Sequence, residues 1–187
     1  MVSGIFGFIL DIVFLLFGIA LIVRAWAYAI RLHPFNPYSQ AVIKLTDWLV
    51  QPLNKLVPPR GKLDLPSLLA CWLTALVYLL ATWMVLTGRL PMVQMLFPAL
   101  LSSFLTVLKW TLNLIVWLTL IQAVLSWVNP TAPIMPVLHT LTAPLLNPIR
   151  RIMPNLGGLD LSPLVLLVLA QIGMMIVQRL AFAALAV

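Results

Sequence analysis

The chain has 187 residues, of which 63% are hydrophobic and 8% charged, with a formal charge of +7 and a mean hydropathy of +1.12. A soluble domain carries roughly a quarter charged residues, so the composition excludes an ordinary water-soluble globule and indicates an integral membrane protein whose spans each need about 20 mostly apolar residues. The cations sit mainly between apolar runs, where they set topology and meet anionic headgroups, so membrane lipid is the expected partner and no direct nucleic-acid binding is expected.

Residues 3–30 form the first apolar run, with Asp11 and Arg24 its only charges. It is too long for a signal-peptide core and has no basic residue before it, so it reads as a retained span. Trp26 and Tyr28 suit an interfacial aromatic belt at its far end. The His33-Pro34-Phe35-Asn36-Pro37 stretch breaks this helix, because each proline disfavours α geometry in the residue before it. From Ser39, Gln40, Lys44, Asp47, Gln51 and Lys55 recur at helical spacing, opposite a stripe of Val42, Leu45, Leu49, Leu53 and Leu56 with Trp48 beside it. That pattern predicts an amphipathic helix lying in the interface, kinked or ended at Pro52. The second span is expected from Leu63 to about Leu86, with Asp64 at its N-cap and Pro66 in its first turn. Gly88-Arg89-Leu90-Pro91 ends it. Residues 92–103, interrupted by Pro98, read as a short interfacial segment.

The third span is expected over about 104–128, carrying Lys109, Asn113, Gln122 and Trp127. His139, Ala143, Asn147 and Arg150 then repeat the earlier stripe, and Pro144 and Pro148 predict a more severely broken amphipathic segment. Asp160-Leu161-Ser162-Pro163 opens the fourth span, which runs to about Ala183 with Gln171, Gln178 and Arg179 inside it.

A second copy of one stretch organises this order. Gln51–Ser67 matches Asn147–Pro163 without a gap: proline on proline at 52/148 and 58/154, glycine at 61/157, Leu-Asp-Leu at 63/159, and upstream Thr46 on Thr142. Each unit holds two spans, an even number, so the copies point the same way and form parallel repeats about an axis along the membrane normal. The units expected are 1–88 and 104–187, joined by 89–103. Arg31, Lys44, Lys55, Arg60, Lys62, Arg150 and Arg151 fall in the two motif loops against only Arg89 in the intervening one. This bias puts both motif loops in the cytoplasm and both termini in the periplasm.

Arg24 and Trp26, Asn36-Pro37-Tyr38-Ser39-Gln40, Lys44 and Thr46 resemble the first half of the YggT (YlmG-related) integral membrane proteins. Ser126-Trp127, Pro144-Leu145-Leu146-Asn147-Pro148-Ile149-Arg150-Arg151, Pro154 and Gly158-Leu159-Asp160-Leu161-Ser162-Pro163 resemble the second half. In the first copy Asn54-Lys55 stands where the family pattern has a basic pair. The resemblance implies a bacterial inner-membrane protein. It also implies links to osmotic tolerance and cell division and, in chloroplast relatives, to nucleoid distribution and cytochrome b6 haem attachment.

Each chemically distinctive residue has a structural reading beside a functional one. Asp64 and Asp160 serve as helix caps or as carboxylates of a shared site. Arg150 and Arg151, with Lys55, Arg60 and Lys62, are ordinary flanking charge or grip lipid phosphate and a partner's acidic face. Aligning Trp26 with Trp127 sets Lys109 opposite Phe8, one turn from Asp11. The two are then an intramembrane ion pair, or a functional site, since unpaired charge costs a few kcal/mol within a bilayer. Asn113 and Gln122 read as interhelical hydrogen-bonding residues. His33 and His139 do not align in the repeat and have no second ligand at i+3 or i+4, so no metal is expected. The single cysteine, Cys71, excludes an intramolecular disulfide and reads as packing. No phosphate loop, nucleophile elbow or HExxH stretch is present, and no cofactor is expected.

The reading is an all-α membrane protein of four spans in two parallel repeats, each with a cytoplasmic interfacial helix. Its expected role is a non-enzymatic scaffold or assembly factor that engages lipid and a membrane-protein partner. The alternative is a channel or transporter, which with four spans requires a homo-oligomer.

Overall fold

A computed structural model describes residues 2–32, 36–90, 96–152 and 160–185. Among them are six helices: α1 (Val2–Ala29), α2 (Pro37–Leu56), α3 (Leu65–Thr87), α4 (Leu96–Val128), α5 (Met135–Ile152) and α6 (Ser162–Leu185). No strand forms among the described residues; the one bridge, Arg60 to Leu63, closes a tight turn. Four helices are long and apolar enough to cross a membrane: Gly4–Ala29, Leu65–Thr87, Leu96–Val128 and Ser162–Ala181. His33, Pro154 and the Gly157-Gly158-Leu159 part of the second motif lie outside the described residues.

The helix limits have local causes. The α2 helix starts at Asn36, whose side chain accepts from the Tyr38 N–H at 3.0 Å, with Pro37 supplying a preset φ at the first position. Asp64 caps α3, accepting from the Ser67 N–H at 3.2 Å and the Ser67 hydroxyl at 2.5 Å. The α1 helix ends in a Schellman closure, with Leu32 N–H on the Ala27 carbonyl and Arg31 N–H on the Tyr28 carbonyl. Arg31 takes the left-handed position there, at φ 54°. In the α3 closure and the Arg60–Leu63 turn, glycines fill that conformation, Gly88 at φ 65° and Gly61 at φ 62°.

Two expectations about proline are corrected. Residues 96–103 belong to one 33-residue helix with the third span. Pro98 is its third residue, where the missing N–H is one of the donors that has no intrahelical partner anyway. Pro144 and Pro148 do not break α5, which continues to Ile152, and of the kink or end expected at Pro52 the end does not occur, since α2 continues to Leu56. All three are exposed. Each proline frees the carbonyl four residues earlier on its own face, and an exposed face lets surrounding polar groups meet that carbonyl.

By contacts the chain forms two compact units, 1–110 with 178–187, and 111–177. In the first, α1 packs on α3, and Ala20, Leu21, Ala25, Ala70, Cys71 and Ala75 of these two helices are buried. Small residues let the backbones approach closely, as membrane helices require in the absence of a hydrophobic drive between them. The Cys71 thiol lies 3.8 Å from the Gly18 carbonyl. A Cβ on Gly18 would overlap the Trp110 indole, so only glycine fits there. In the second unit the buried face of α5 is Met135, Val137, Leu138, Leu141, Thr142 and Leu146.

Candidate functional site

The four acidic residues of the chain are each engaged inside the protein. Asp11, in the N-terminal half of α1, accepts from the Tyr78 hydroxyl of α3 at 2.8 Å. Tyr78 in turn packs against Phe14 and Trp110, at centroid distances of 5.7 and 5.8 Å. The expected Asp11–Lys109 pair is not formed. The ion pairs among the described residues are Arg24–Asp47 and Arg150–Asp160, and Lys109 is exposed. Tyr78 of α3 satisfies the carboxylate instead.

Asp47 pairs with Arg24 at 3.0 Å. The same guanidinium donates to the Thr46 hydroxyl at 2.9 Å and points toward the Ile43 carbonyl at 3.4 Å, so one side chain near the end of α1 fastens a turn of α2. Thr46 is fully buried and passes its own proton to the Val42 carbonyl at 2.8 Å. Sequence reasoning missed this tie. The available signal was that Asp47 is the sole acid of α2, and Arg24 the sole cation of the preceding span.

Asp64 is buried at 7% exposure in its cap. Asp160 sits two residues before the start of α6, where it accepts from the Ser162 N–H at 3.0 Å and the Ser162 hydroxyl at 2.5 Å. Arg150, in the last turn of α5, holds its other oxygen at 2.7 and 2.9 Å. Partial desolvation pulls this carboxyl upward, but the Ser162 hydrogen bonds and the Arg150 guanidinium outweigh it and hold the group below the usual carboxylate range. Arg150 thus braces the entry to α6. The residue 96 positions earlier, Asn54, cannot make that ion pair with Asp64.

Thr142, 96 positions after Thr46, is also buried and tied to the preceding long helix, through Gln122 instead of an arginine. Gln122 lies 3.0 Å from Nδ1 of His139. Its amide nitrogen donates there, which leaves the imidazole proton on Nε2. His139 is thereby a hydrogen-bonding residue of unit 111–177, and no group of three metal-ligating side chains occurs among the described residues.

With Arg24 and Arg150 committed, nine of the eleven cations have no acidic partner among the described residues: Arg31, Lys44, Lys55, Arg60, Lys62, Arg89, Lys109, Arg151 and Arg179. All nine are exposed. Five of them lie between the end of α1 and the start of α3, where the Arg60–Leu63 turn presents Arg60 and Lys62 beside Pro58. This stretch can bind anions, and among the described residues it brings no nucleophile and base together.

Six helices, four of them of membrane-spanning length and apolarity, define a polytopic helical membrane protein. Within that class the chain belongs to the CCB3/YggT family, whose model matches residues 3–87 and 101–181. It is 35% identical over 163 residues to the uncharacterized protein YggT of Escherichia coli K12, covering 87% of this chain and 83% of that one. An uncharacterized protein from the proC 3′ region of Vibrio alginolyticus is 35% identical over 163 residues, 87% of each chain. An uncharacterized protein of Pseudomonas aeruginosa is 31% identical over 169 residues, 89% of this chain and 85% of the other. No solved structure matches the chain.

Proposed function

We propose that the protein is a non-enzymatic scaffold or assembly factor of the bacterial inner membrane, engaging anionic lipid and a membrane-protein partner through its two cation-bearing connections. The observation that carries this reading is the set of nine exposed cations left without an acid once all four acids are used internally. Cations near a membrane surface each attract anionic lipid by about 1 kcal/mol. Two parallel units, 1–88 and 104–187, each with α2 or α5 lying in the cytoplasmic interface, would present these connections to the same compartment. The family model's two matched segments support that division.

The test is the variant Lys55→Gln/Arg60→Gln/Lys62→Gln/Arg151→Gln, which spares the structural Arg24 and Arg150. Native mass spectrometry from mixed nanodiscs should show loss of phosphatidylglycerol enrichment, by up to roughly fivefold per cation removed. Crosslinking in intact membranes should show the partner complex weakened. Unchanged lipid enrichment and unchanged complexes would reject the reading. The competing oligomeric channel, with Asp11 and Lys109 in its path, requires K⁺, Na⁺ or H⁺ flux in proteoliposomes that Asp11→Asn/Lys109→Met abolishes.

A further inference from the structure

An apolar pocket of about 400 Å³ opens beneath α2, walled by Val13 and Phe17 of α1, Trp48 and Leu49 of α2, and Leu73 and Val77 of α3. Its one polar wall residue, Thr74, has its hydroxyl committed to the Ala70 carbonyl at 2.7 Å, so nothing in the lining asks for a polar ligand. Two contacts fix its depth. Arg24 grips α2 at Thr46 and Asp47, while the Trp48 ring reaches down to Phe17, at a centroid distance of 5.6 Å. Phe17 lies seven residues before Arg24, about 10 Å along the helix axis. The pocket therefore extends from the level of α2 toward the middle of the α1 and α3 spans.

The helix that roofs it carries two cations close to Trp48 in register. Lys44 is one turn before Trp48 and Lys55 is two turns after it, and Trp48 stands at the border between their polar stripe and the apolar one. Both are exposed. The only acid of that helix, Asp47, is taken by Arg24, so neither lysine has an internal counter-charge among the described residues.

We propose that this pocket is a binding site for one anionic phospholipid, with an acyl chain under α2 between Phe17, Trp48 and Val77 and its phosphate met by Lys44 and Lys55. The inference rests on the interfacial placement of α2 given under Proposed function. It adds a specific tail slot to the general attraction of the cationic connections. An apolar slot capped by unpaired cations matches a lipid with one charged end and a long tail. A partner helix would leave both lysines uncompensated.

The full-length protein in nanodiscs, with phosphatidylglycerol or phosphatidylcholine bearing a diazirine in the acyl chain, tests this directly. Photolysis and peptide mapping should place phosphatidylglycerol adducts on 13–17, 48–49 and 73–77, with a roughly fivefold headgroup preference from each lysine. Lys44→Gln/Lys55→Gln should abolish the preference while leaving residual label in the slot. Val77→Trp, and separately Val13→Trp, should fill the pocket and remove the label. Both valines are more than half exposed, so the added rings leave the helix packing intact, and a thermal melt of each variant verifies it. Adducts spread evenly over the exposed apolar faces would overturn the proposal. So would equal labelling by phosphatidylcholine, or a photoreactive residue at 77 that joins to a second copy of the chain and not to lipid. A membrane-impermeant maleimide on Lys44→Cys/Cys71→Ser separates the two readings. Labelling only from the periplasm rejects the placement of α2, whereas cytoplasmic labelling with dispersed adducts rejects the pocket alone.

Discussion

Asp160 and Asp11 show how differently one carboxylate can be held in this chain. Asp11 spends its charge on a tyrosine hydroxyl inside a span, whereas Asp160 is fixed by a serine and by Arg150 at a helix entrance. Because the folded carboxyl of Asp160 lies below its ordinary value of 3.8, the folded state binds its proton less readily than the unfolded chain does. The stability it contributes is therefore complete above that value and lost as the pH falls through the depressed one. The group is largely exposed, so the contribution is the modest one of a surface pair, about 0.2–1 kcal/mol. Arg150→Gln should accordingly melt below the wild type at neutral pH, and the gap should close as acidification protonates the depressed carboxyl. Equal spacing of the two melting curves at all pH values would show that Arg150 acts by packing and not by charge.

At the scale of the element, the α1 terminus carries a measurable cost. Arg31 occupies a left-handed position that costs an L-residue about 1–2 kcal/mol, whereas the α3 terminus has Gly88 in the same role. Arg31→Gly should raise the melting temperature by roughly 2–4 °C, and Arg31→Ala, which removes the same charge without relieving the backbone, should not. The four long apolar helices were legible because apolar runs of about twenty residues favour a membrane-spanning helix, but the third begins at Leu96, eight residues before its expected start. The N-cap of α3 was legible too, since an aspartate before Leu-Pro-Ser satisfies orphan N–H groups by local geometry alone. The prolines were not. Whether Pro52, Pro144 and Pro148 break a helix depends on which face the freed carbonyl meets, and that is decided by packing. The Arg24–Thr46–Asp47 tie failed for a related reason: residues 22 and 23 apart meet only after α2 folds back along α1.

For the whole molecule, orientation should follow from where the uncompensated cations lie. Charge inside helices that the fold buries or pairs has little say in insertion. The bias counted over short connections decides, and only Lys and Arg weigh heavily in it. Arg31, Lys44, Lys55, Arg60 and Lys62 precede α3, Arg151 ends α5, and the connection from α3 to α4 carries Arg89. On the proposed reading, with two spans in each of the segments 1–88 and 104–187, both cationic connections would lie in one compartment. Fusions joined after Lys62 and after Arg151 should fluoresce as green fluorescent protein fusions and be inactive as alkaline phosphatase fusions. A fusion after Arg89 should behave in the opposite way. Replacing Lys55, Arg60, Lys62 and Arg151 with Gln while adding two lysines beside Arg89 reverses the local bias, so a measurable fraction of chains should then insert the other way round. If the fusion pattern survives that reversal, the cations do not set orientation, and their exposure is left for lipid and partner contact alone.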